Sequence, residues 1–212
     1  MNLARMTSRI AVGVATAVLA TAALGAPSAQ AHGLGTRSLA SVLTKDTSGL
    51  DRNGRDFDVL TAAVLAVLKA KPNSPVKALT DGNVALTAFI PNDAAFRQLA
   101  REVSRKQTLP SERSAFATVA GLGINTVEAV LLYHVVPGAT IDKRAALKAD
   151  GARLTTAAGS TIKVDVWCGY RLTLIDADRN DRNPRVVAFN INKGNKQIAH
   201  AINRVLRPVD LP

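Results

Sequence analysis

The sequence contains a single cysteine, Cys168, and only three histidines, His32, His134 and His200. One cysteine excludes an intramolecular disulfide, so the fold must be stabilised by its hydrophobic core. Because Cys168 follows Trp167 in an apolar, strand-like run, we expect its thiol to be buried and unreactive. So few histidines also restrict the active sites that the chain can build.

Short motifs typical of enzymes are absent as well. The sequence has no Gly-x-Ser-x-Gly elbow, no His-Glu-x-x-His helix, no Walker loop and no Gly-x-Gly-x-x-Gly turn. These absences exclude the motif-based forms of hydrolase, metalloprotease and nucleotide chemistry. We therefore predict a protein that is not an enzyme, with no catalytic residues, no cofactor and no metal.

A long apolar run occurs only at the N-terminus. Arg5 and Arg9 precede an apolar and small-residue stretch from Ile10 to Ala26, and the small-x-small triplet Ala29-Gln30-Ala31 follows it. This pattern predicts a secretory signal peptide over residues 1–31, with cleavage after Ala31. We therefore expect a secreted, extracellular protein without a membrane span.

The charge of the chain is strongly basic. Lysine and arginine number 27 against 16 acidic residues, a formal net charge of +11, and the predicted signal peptide holds two of the arginines and no acid, which leaves +9. An exported basic protein meets acidic polymers of a cell surface or matrix rather than nucleic acid. The basic residues are scattered, so a merely soluble surface is the alternative interpretation.

Cleavage after Ala31 makes His32 the first residue of the mature chain. An amino group and an imidazole together can chelate a copper-like ion, but such a site needs further imidazoles, and His134 and His200 lie in predicted core elements. We interpret residues 32–37 as a flexible leader. The remaining length predicts one domain over residues 38–212.

One loop partly matches a calcium-binding pattern. Asp176, Asp178 and Asn180 take the first three ligand positions of an EF-hand loop, but Asp181 stands where that loop needs Gly and Val187 where it needs Glu. We interpret the segment as a hairpin loop. Calcium binding by Asp176, Asp178 and Asn180 is the alternative.

Helices are predicted mainly in the first half of the chain. The run from Asp56 to Ala70 has a broad apolar stripe, and Asp56 is its predicted N-cap. The acidic stretch Asp51 to Asp58 does not match the calcium-loop pattern, because Gly54 stands at the wrong position, so we interpret it as a turn that leads into this cap. An interior strand is predicted from Val84 to Ile90, and a helix capped by Asn92 follows it.

Strands are predicted in the second half. Runs rich in β-branched residues recur there, and the last one closes a sheet: Arg153–Thr156, Ser160–Val166, Arg171–Asp176, Arg185–Ile191 and Ile198–Leu206. One more short helix is predicted after a capping box that begins at Asn125. The order of elements predicts an α+β protein with antiparallel strands, because there is no β-α-β alternation that would indicate a parallel sheet.

Three segments, in this order, resemble the fasciclin family: LTAFIPNDAAF at Leu86–Phe96, LLYHVVPG at Leu131–Gly138 and IAHAINRVLRP at Ile198–Pro208. The resemblance extends over roughly residues 38–212. It implies a fasciclin-like wedge of two β-sheets with packed helices. It also implies a non-enzymatic extracellular module for adhesion or for binding to a matrix or cell surface.

The resemblance also suggests binding residues. In some animal fasciclin domains a Tyr-His pair and an Asp-Ile pair have been linked to integrin binding, and Tyr133 and His134 match the first pair. The alternative is that both side chains satisfy buried polar groups, with Asp93 as the partner of His134. At the position of the Asp-Ile pair, this sequence has Asn190 followed by Ile191. An amide cannot supply the carboxylate that an integrin metal needs, so we do not expect integrin binding there.

Four further residues are assigned to the structural motif of the fold: Asn92, Asp93, Phe96 and Asn203. Asn92 and Asn203 replace a Thr and an Asp that are frequent in the family, and both keep a hydrogen-bonding group. The expected partner is an extracellular protein or an acidic polymer of a cell surface or matrix. A soluble binding protein for an acidic polymer or small ligand is the alternative, and the oligomeric state stays open.

Overall fold

A computed structural model describes residues 33–210. Its helices are α1 Leu39–Leu43, α2 Asp58–Ala70, α3 Asp93–Val103, α4 Glu112–Gly121, α5 Ile124–Tyr133 and α6 Lys143–Lys148, with a 3-10 helix at Pro75–Thr80. Its strands are β1 Leu86–Pro91, β2 Val135–Pro137, β3 Arg153–Thr155, β4 Thr161–Trp167, β5 Arg171–Ile175, β6 Val186–Ile191 and β7 Gln197–Ile202. The predicted signal peptide and His32 lie outside the described residues.

The strands form two sheets. One has four strands in the order β2-β1-β7-β6, and the other has three in the order β3-β4-β5. The prediction of an α+β fold, with helices first and antiparallel strands later, is confirmed. One pairing differs: β1 and β7 run parallel, with Leu86 opposite Gln197. No local pattern indicated this parallel pairing, because the two strands are so distant in sequence.

The two faces of β1 contribute to two hydrophobic cores. Leu86, Ala88 and Ile90 belong to a cluster with helices α1–α5, whereas Phe89 belongs to a cluster between the two sheets. Successive side chains of a strand point to opposite faces, so one apolar strand can serve both cores. Each fully buried side chain of this size contributes roughly 1.5–3 kcal/mol to folding. The whole strand is buried, as its apolar sequence predicted.

The N-terminus of α2 is capped from another part of the chain. Phe57 is at the N-cap position and makes no side-chain cap, and the helix begins at Asp58 rather than after Asp56. The carboxylate of Asp93 instead accepts hydrogen bonds from the backbone N–H groups of Asp58 and Val59, both at 3.0 Å. The prediction that Asp56 caps this helix was therefore wrong.

Helix α5 also begins differently from the prediction. Gly123 is its N-cap, with φ of 86°, and Asn125 lies inside the first turn. This φ lies in the left-handed region, which glycine adopts without steric cost. The predicted capping box at Asn125 was therefore wrong.

The chain joins the domain at Gly35, before the predicted start at Ser38. The Gly35 N–H donates to the Gly194 carbonyl at 2.7 Å, and the Gly35 carbonyl accepts from the Lys196 N–H at 2.8 Å. The Arg37 N–H donates to the side chain of Asn195. Part of the expected flexible leader is thus hydrogen-bonded to the turn between β6 and β7.

Within residues 33–210, no single helix is long and apolar enough to cross a membrane. Only α4 and α5 together, across a bend of 106°, reach the required length and composition.

Candidate functional site

Tyr133 is the last residue of α5 and lies in the core between the two sheets. Its side chain is fully buried, and its hydroxyl donates a hydrogen bond to the Thr161 carbonyl of β4 at 3.1 Å. Burial, together with the charge of Asp176, raises the pKa of Tyr133 to about 12. The phenol is therefore neutral at physiological pH and links α5 to the three-stranded sheet.

His134 follows Tyr133 and is also buried. Its Nε2 accepts a hydrogen bond from the Leu206 N–H at 2.9 Å, so Nδ1 carries the proton and donates to the Val130 carbonyl at 2.7 Å. Burial lowers the pKa of His134 to about 4, so the ring is neutral at physiological pH. The expected pairing of His134 with Asp93 was wrong, because backbone groups bind both ring nitrogens and the Asp93 carboxylate caps α2.

Neither residue of the Tyr-His pair is at the surface in this conformation. Tyr133 has 0% of its area exposed and His134 has 4%. Direct contact between a partner and these side chains would therefore require the core around them to open. Their hydrogen bonds in the structure correspond to the alternative in which they satisfy buried polar groups.

The remaining motif residues hold elements together. Asn92 caps α3 by accepting from the Ala95 N–H at 3.0 Å, as its position predicts. Phe96 is buried in the helix-side core. The Asn203 side chain accepts from the Arg185 N–H at 2.8 Å, which joins the end of β7 to the start of β6.

Asn190 lies at an irregularity of β6 and has φ of 65°. Asparagine tolerates this left-handed backbone better than most residues, which gives a local reason for an amide at this position. The Asn190 side chain accepts a hydrogen bond from the Lys143 N–H at 2.8 Å.

The Asp176 loop is bound by arginines. Asp176 accepts from the backbone N–H of Arg207 at 2.9 Å, and the Asp178 carboxylate lies 3.3 Å from the guanidinium of Arg207. Asp181 lies 2.9 Å from the guanidinium of Arg204 and 3.3 Å from that of Arg207. Asp178 and Asp181 therefore have cationic partners, whereas Asp176 is bound by a backbone N–H group.

Asn180 lies in the same loop, and its backbone N–H donates to Asp178 at 2.8 Å. Glu102 of α3 completes the arrangement by pairing with Arg204 and Arg207. The calcium alternative for Asp176, Asp178 and Asn180 stays a prediction, and the carboxylate of Asp178 that it requires is paired with Arg207.

A second acidic cluster forms no ion pair with a lysine or arginine of residues 33–210. It comprises Asp51, Asp56, Asp58, Asp93 and Glu112. One ligand oxygen each from Asp56, Asp93 and Glu112 lie within 4.8 Å of one another, and the same holds for Asp51, Asp56 and Asp58. We call these five residues the acidic cluster. It lies where the N-termini of α2, α3 and α4 meet.

The environment of the acidic cluster favours protonated carboxyls. Burial raises the pKa of Asp93 to about 8, and the neighbouring Asp56 adds to this shift. Burial also raises the pKa of Asp58 and of Glu112, with further contributions from Asp56 and Asp51. Sequence reasoning considered the stretch Asp51 to Asp58 alone and set calcium aside there, because Asp93 and Glu112 come from two other segments and the cluster forms no single loop motif.

An aromatic tip projects from the turn between β4 and β5. Trp167 is 60% exposed and Tyr170 is 58% exposed, and the guanidinium of Arg171 lies 5.2 Å from the first ring and 5.5 Å from the second. Cys168 between them is exposed, with φ of 53°. The expectation of a buried Cys168 was wrong, because the strand ends at Trp167 and the cysteine lies in the turn.

The outer face of the three-stranded sheet is basic. Arg153 pairs with Lys163 across the sheet, and Trp167 pairs with Arg171. Arg185 extends this face through a bridge to β5, and Asp165 is an acidic residue on it. The alternation of β4 and β5 sends their apolar residues inward, so these side chains point to solvent. We call this surface, with the aromatic tip, the basic face.

The chain is similar to known proteins in sequence and fold. A family model described as the fasciclin domain matches residues 60–208. A solved structure of a FAS1 domain pair from the insect cell adhesion molecule fasciclin I is similar at 14% identity and a TM-score of 0.56, covering 82% of this chain and 51% of that chain. The chain thus spans about half the length of that domain pair. No curated protein matches.

Proposed function

The chain belongs to the fasciclin domain family, and we propose that it is a secreted, non-enzymatic binding module that attaches to an acidic polymer of a cell surface or matrix. The family is associated with cell adhesion, and its domains are typically extracellular or on the cell surface. The proposed contact surface is the basic face. The exposed cluster of Trp167, Tyr170 and Arg171 carries this proposal.

The aromatic tip has the composition of a binding hot spot. Tryptophan, tyrosine and arginine are the residues that most often dominate binding energy at interfaces. The rings of Trp167 and Tyr170 offer flat apolar surfaces, and Arg171 offers a planar fork of donors. More than half of each ring residue is exposed to water, so this area does not contribute to the hydrophobic core.

The charge of the surface selects the partner. Arg153, Lys163, Arg171 and Arg185 are on the basic face, against Asp165. Asp176, Asp178 and Asp181, together with Arg179, line the cleft beside Arg153 and Lys163. Arginine binds carboxylate and sulfate-like groups through paired hydrogen bonds, and the excess of positive charge attracts a polyanion over distance. An acidic polymer therefore fits this face better than a neutral or basic one.

A buried small-ligand site is less favoured. The apolar cavities beside His134 hold only about 20 Å³ each, which is room for a single water molecule. The larger open clefts are lined by charged residues, including the arginines that bind the Asp176 loop. The exposed surface, rather than the interior, offers the area that a partner needs.

One basic face on one domain gives attachment rather than cross-linking. Joining two bodies requires a second site or an oligomer. We therefore propose that the module anchors itself to one acidic surface.

A salt titration tests the proposal. Purified protein is passed over an immobilised carboxylated or sulfated polysaccharide between about 50 and 200 mM NaCl. If about three charges are neutralised, affinity falls by roughly ten- to fifty-fold over this range. The triple variant Arg153→Ala, Lys163→Ala, Arg171→Ala should lose most of the binding. Binding that is independent of salt would contradict the proposal.

The matched control removes the same charge elsewhere. Lys69, Lys77 and Lys106 are exposed and lie outside the basic face, in the helical half of the chain. Their triple replacement by alanine should weaken binding far less than the change on the basic face. Equal losses in the two triple variants would show that only net charge matters, and would remove the basic face from the proposal.

Export has its own test. Protein recovered from the medium of cells that express the full chain should begin at His32, because the triplet Ala29-Gln30-Ala31 is the proposed cleavage signal. Recovery of all the protein inside the cells, with residues 1–31 still attached, would contradict secretion.

A further inference from the structure

The acidic cluster collects carboxylates from the starts of three helices and the loop before them. Asp58, Asp93 and Glu112 are the first residues of α2, α3 and α4, whereas Asp51 and Asp56 belong to the loop before α2. Packing of α3 against α2 and α4 brings these helix ends together.

The spacing of the carboxylates fits one ion. Ligand oxygens of Asp56, Asp93 and Glu112 all lie within 4.8 Å of one another. Oxygens that bind one Ca²⁺ at about 2.4 Å can be no more than about 4.8 Å apart, because they lie on a sphere of that radius. The spacing of the three side chains therefore meets this requirement for binding one ion.

Several of these oxygens lack hydrogen-bond partners. Glu112 is only 1% exposed, and neither of its carboxylate oxygens has a partner. Both carboxylate oxygens of Asp56 and the Oδ2 atom of Asp58 are buried and unpartnered as well. A buried carboxylate without a partner is costly, so it is compensated either by a proton or by a bound cation.

Protein groups supply little compensation. Among residues 33–210, no lysine or arginine forms an ion pair with any member of the acidic cluster. The positive ends of the helices favour carboxylates, but the hydrogen bonds from the start of α2 go to Asp93 alone. By hydrogen-bond geometry the oxygens of Glu112 and Asp56 accept no hydrogen bond, although burial, which raises the pKa of Glu112, is partly opposed by the backbone of Asp51 and the charge of Arg97.

We propose that Asp56, Asp93 and Glu112 bind one calcium ion, with Asp51 and Asp58, which lie close to Asp56, adding negative charge beside it. The donor set consists of carboxylate oxygens, without nitrogen or sulfur, which suits a hard cation. Calcium accepts six to eight oxygens in a flexible arrangement, whereas magnesium demands a near-ideal octahedron and keeps several waters. A crowded group of carboxylates at a buried junction therefore favours calcium.

The ion would fasten the starts of α2, α3 and α4 to one another. Calcium would then bind the folded protein and not the unfolded chain, so it would raise the stability of the helical half. This inference is independent of the basic face, which lies on the three-stranded sheet.

Thermal unfolding of the purified protein gives the first test. After treatment with a chelator, calcium or magnesium chloride is added at equal ionic strength. At a calcium concentration about 100 times the dissociation constant, the melting temperature should rise by roughly 5–10 °C. Titration calorimetry should give one calcium ion per chain. No shift and no heat with calcium would overturn the site, and an equal shift with magnesium would overturn the assignment to calcium.

Charge-neutralising variants separate an ion site from a merely structural cluster. Glu112→Gln and Asp56→Asn each remove one charge and keep the shape of the side chain. In chelator, both variants should melt at or above the wild-type temperature, because repulsion is reduced, and both should lose the calcium response. Asp165→Asn is the matched control and should keep it. A full calcium shift in both cluster variants would overturn the proposal, and Asp56→Asn alone decides the test if Glu112→Gln does not fold.

Discussion

The Nε2 atom of His134 accepts a hydrogen bond from the backbone N–H of Leu206 at 2.9 Å, across 72 positions of sequence. The same ring donates to the Val130 carbonyl. One buried imidazole therefore joins the end of α5 to the segment after β7. This bond gives a structural reason for the Tyr-His pair and the last fasciclin-like segment to occur in the same chain.

Replacement of His134 should change the pH dependence of stability. Its pKa falls from 6.5 to about 4 on folding, so between these values the unfolded chain binds more protons and stability decreases as the pH is lowered. The loss amounts to about 3 kcal/mol between pH 7 and pH 4. His134→Gln, which has no titrating group, should lose this contribution in urea unfolding measured across that range.

The pH dependence of stability of His134→Gln must be compared with that of the wild type, because other groups titrate over the same range. The pKa of Asp93 is raised to about 8, so its carboxyl contributes in the opposite sense and reduces stability as the pH rises from about 4 to 8. This contribution is common to wild type and His134→Gln. Parallel stability curves for the two proteins would contradict the assigned role of His134.

Tyr133→Phe tests the other member of the pair. The change removes the hydrogen bond to the Thr161 carbonyl and keeps the ring in the core. We expect a loss of about 1 kcal/mol in urea unfolding and unchanged binding to an acidic polymer. A variant of wild-type stability that no longer binds would instead show that the hydroxyl contacts the partner.

Arg207 should be among the most sensitive positions in the chain. Its guanidinium is buried with Asp178, which is 4% exposed, and also pairs with Asp181 and Glu102. Arg207→Ala leaves a buried carboxylate unpaired and should cost about 3–5 kcal/mol in the free energy of unfolding. The exposed Arg182→Ala is the control and should cost less than about 0.5 kcal/mol. Similar values for both variants would contradict the role of Arg207.

The aromatic tip should matter little for folding. Trp167 and Tyr170 are mostly exposed, so their joint replacement by alanine removes little buried area and two weak contacts with Arg171. We expect a loss of about 1 kcal/mol or less in thermal or urea unfolding. A loss of several kcal/mol would mean that the tip is held for structure rather than for binding.

Local patterns predicted the longer elements of this fold but not the short helices α1 and α6, and not all of the partners. The stripe from Asp56 to Ala70 and the alternation in β4 and β5 indicated a core helix and half-buried strands, and both are present. The cap of α2 comes from Asp93, 35 residues beyond the N–H group of Asp58 that it binds. Such a cap is fixed by tertiary packing, so no local rule could identify it.

The positions of the candidate site residues also depended on packing that local patterns do not show. Tyr133 and His134 were found through their resemblance to a family segment, yet their burial depends on packing between the sheets. Trp167 and Cys168 indicated a buried strand end because both are apolar, but Gly169 follows and the chain turns there. A turn signal at Cys168-Gly169 could have placed the aromatic pair at an exposed tip.

The acidic cluster could not be predicted from the sequence because its residues belong to separate segments. The segment before α2 was interpreted as a turn and cap, whereas Asp93 and Glu112 belong to two other helices. Only the packing of three helix ends brings Asp56 to these two carboxylates. Like-charged residues far apart in sequence give no signal of convergence.

The most direct test compares the basic face with the Tyr-His pair in one binding measurement. Adsorption of purified protein to an acidic polysaccharide at low salt is measured for the wild type, for Trp167→Ala with Arg171→Ala, and for Tyr133→Phe with His134→Gln. Each variant is first shown to be folded. We predict that the first double variant loses at least ten-fold in affinity, about 1.4 kcal/mol, whereas the second binds like the wild type. If the variant with Trp167→Ala and Arg171→Ala keeps wild-type affinity, and the variant with Tyr133→Phe and His134→Gln loses binding, the basic face is not the binding surface.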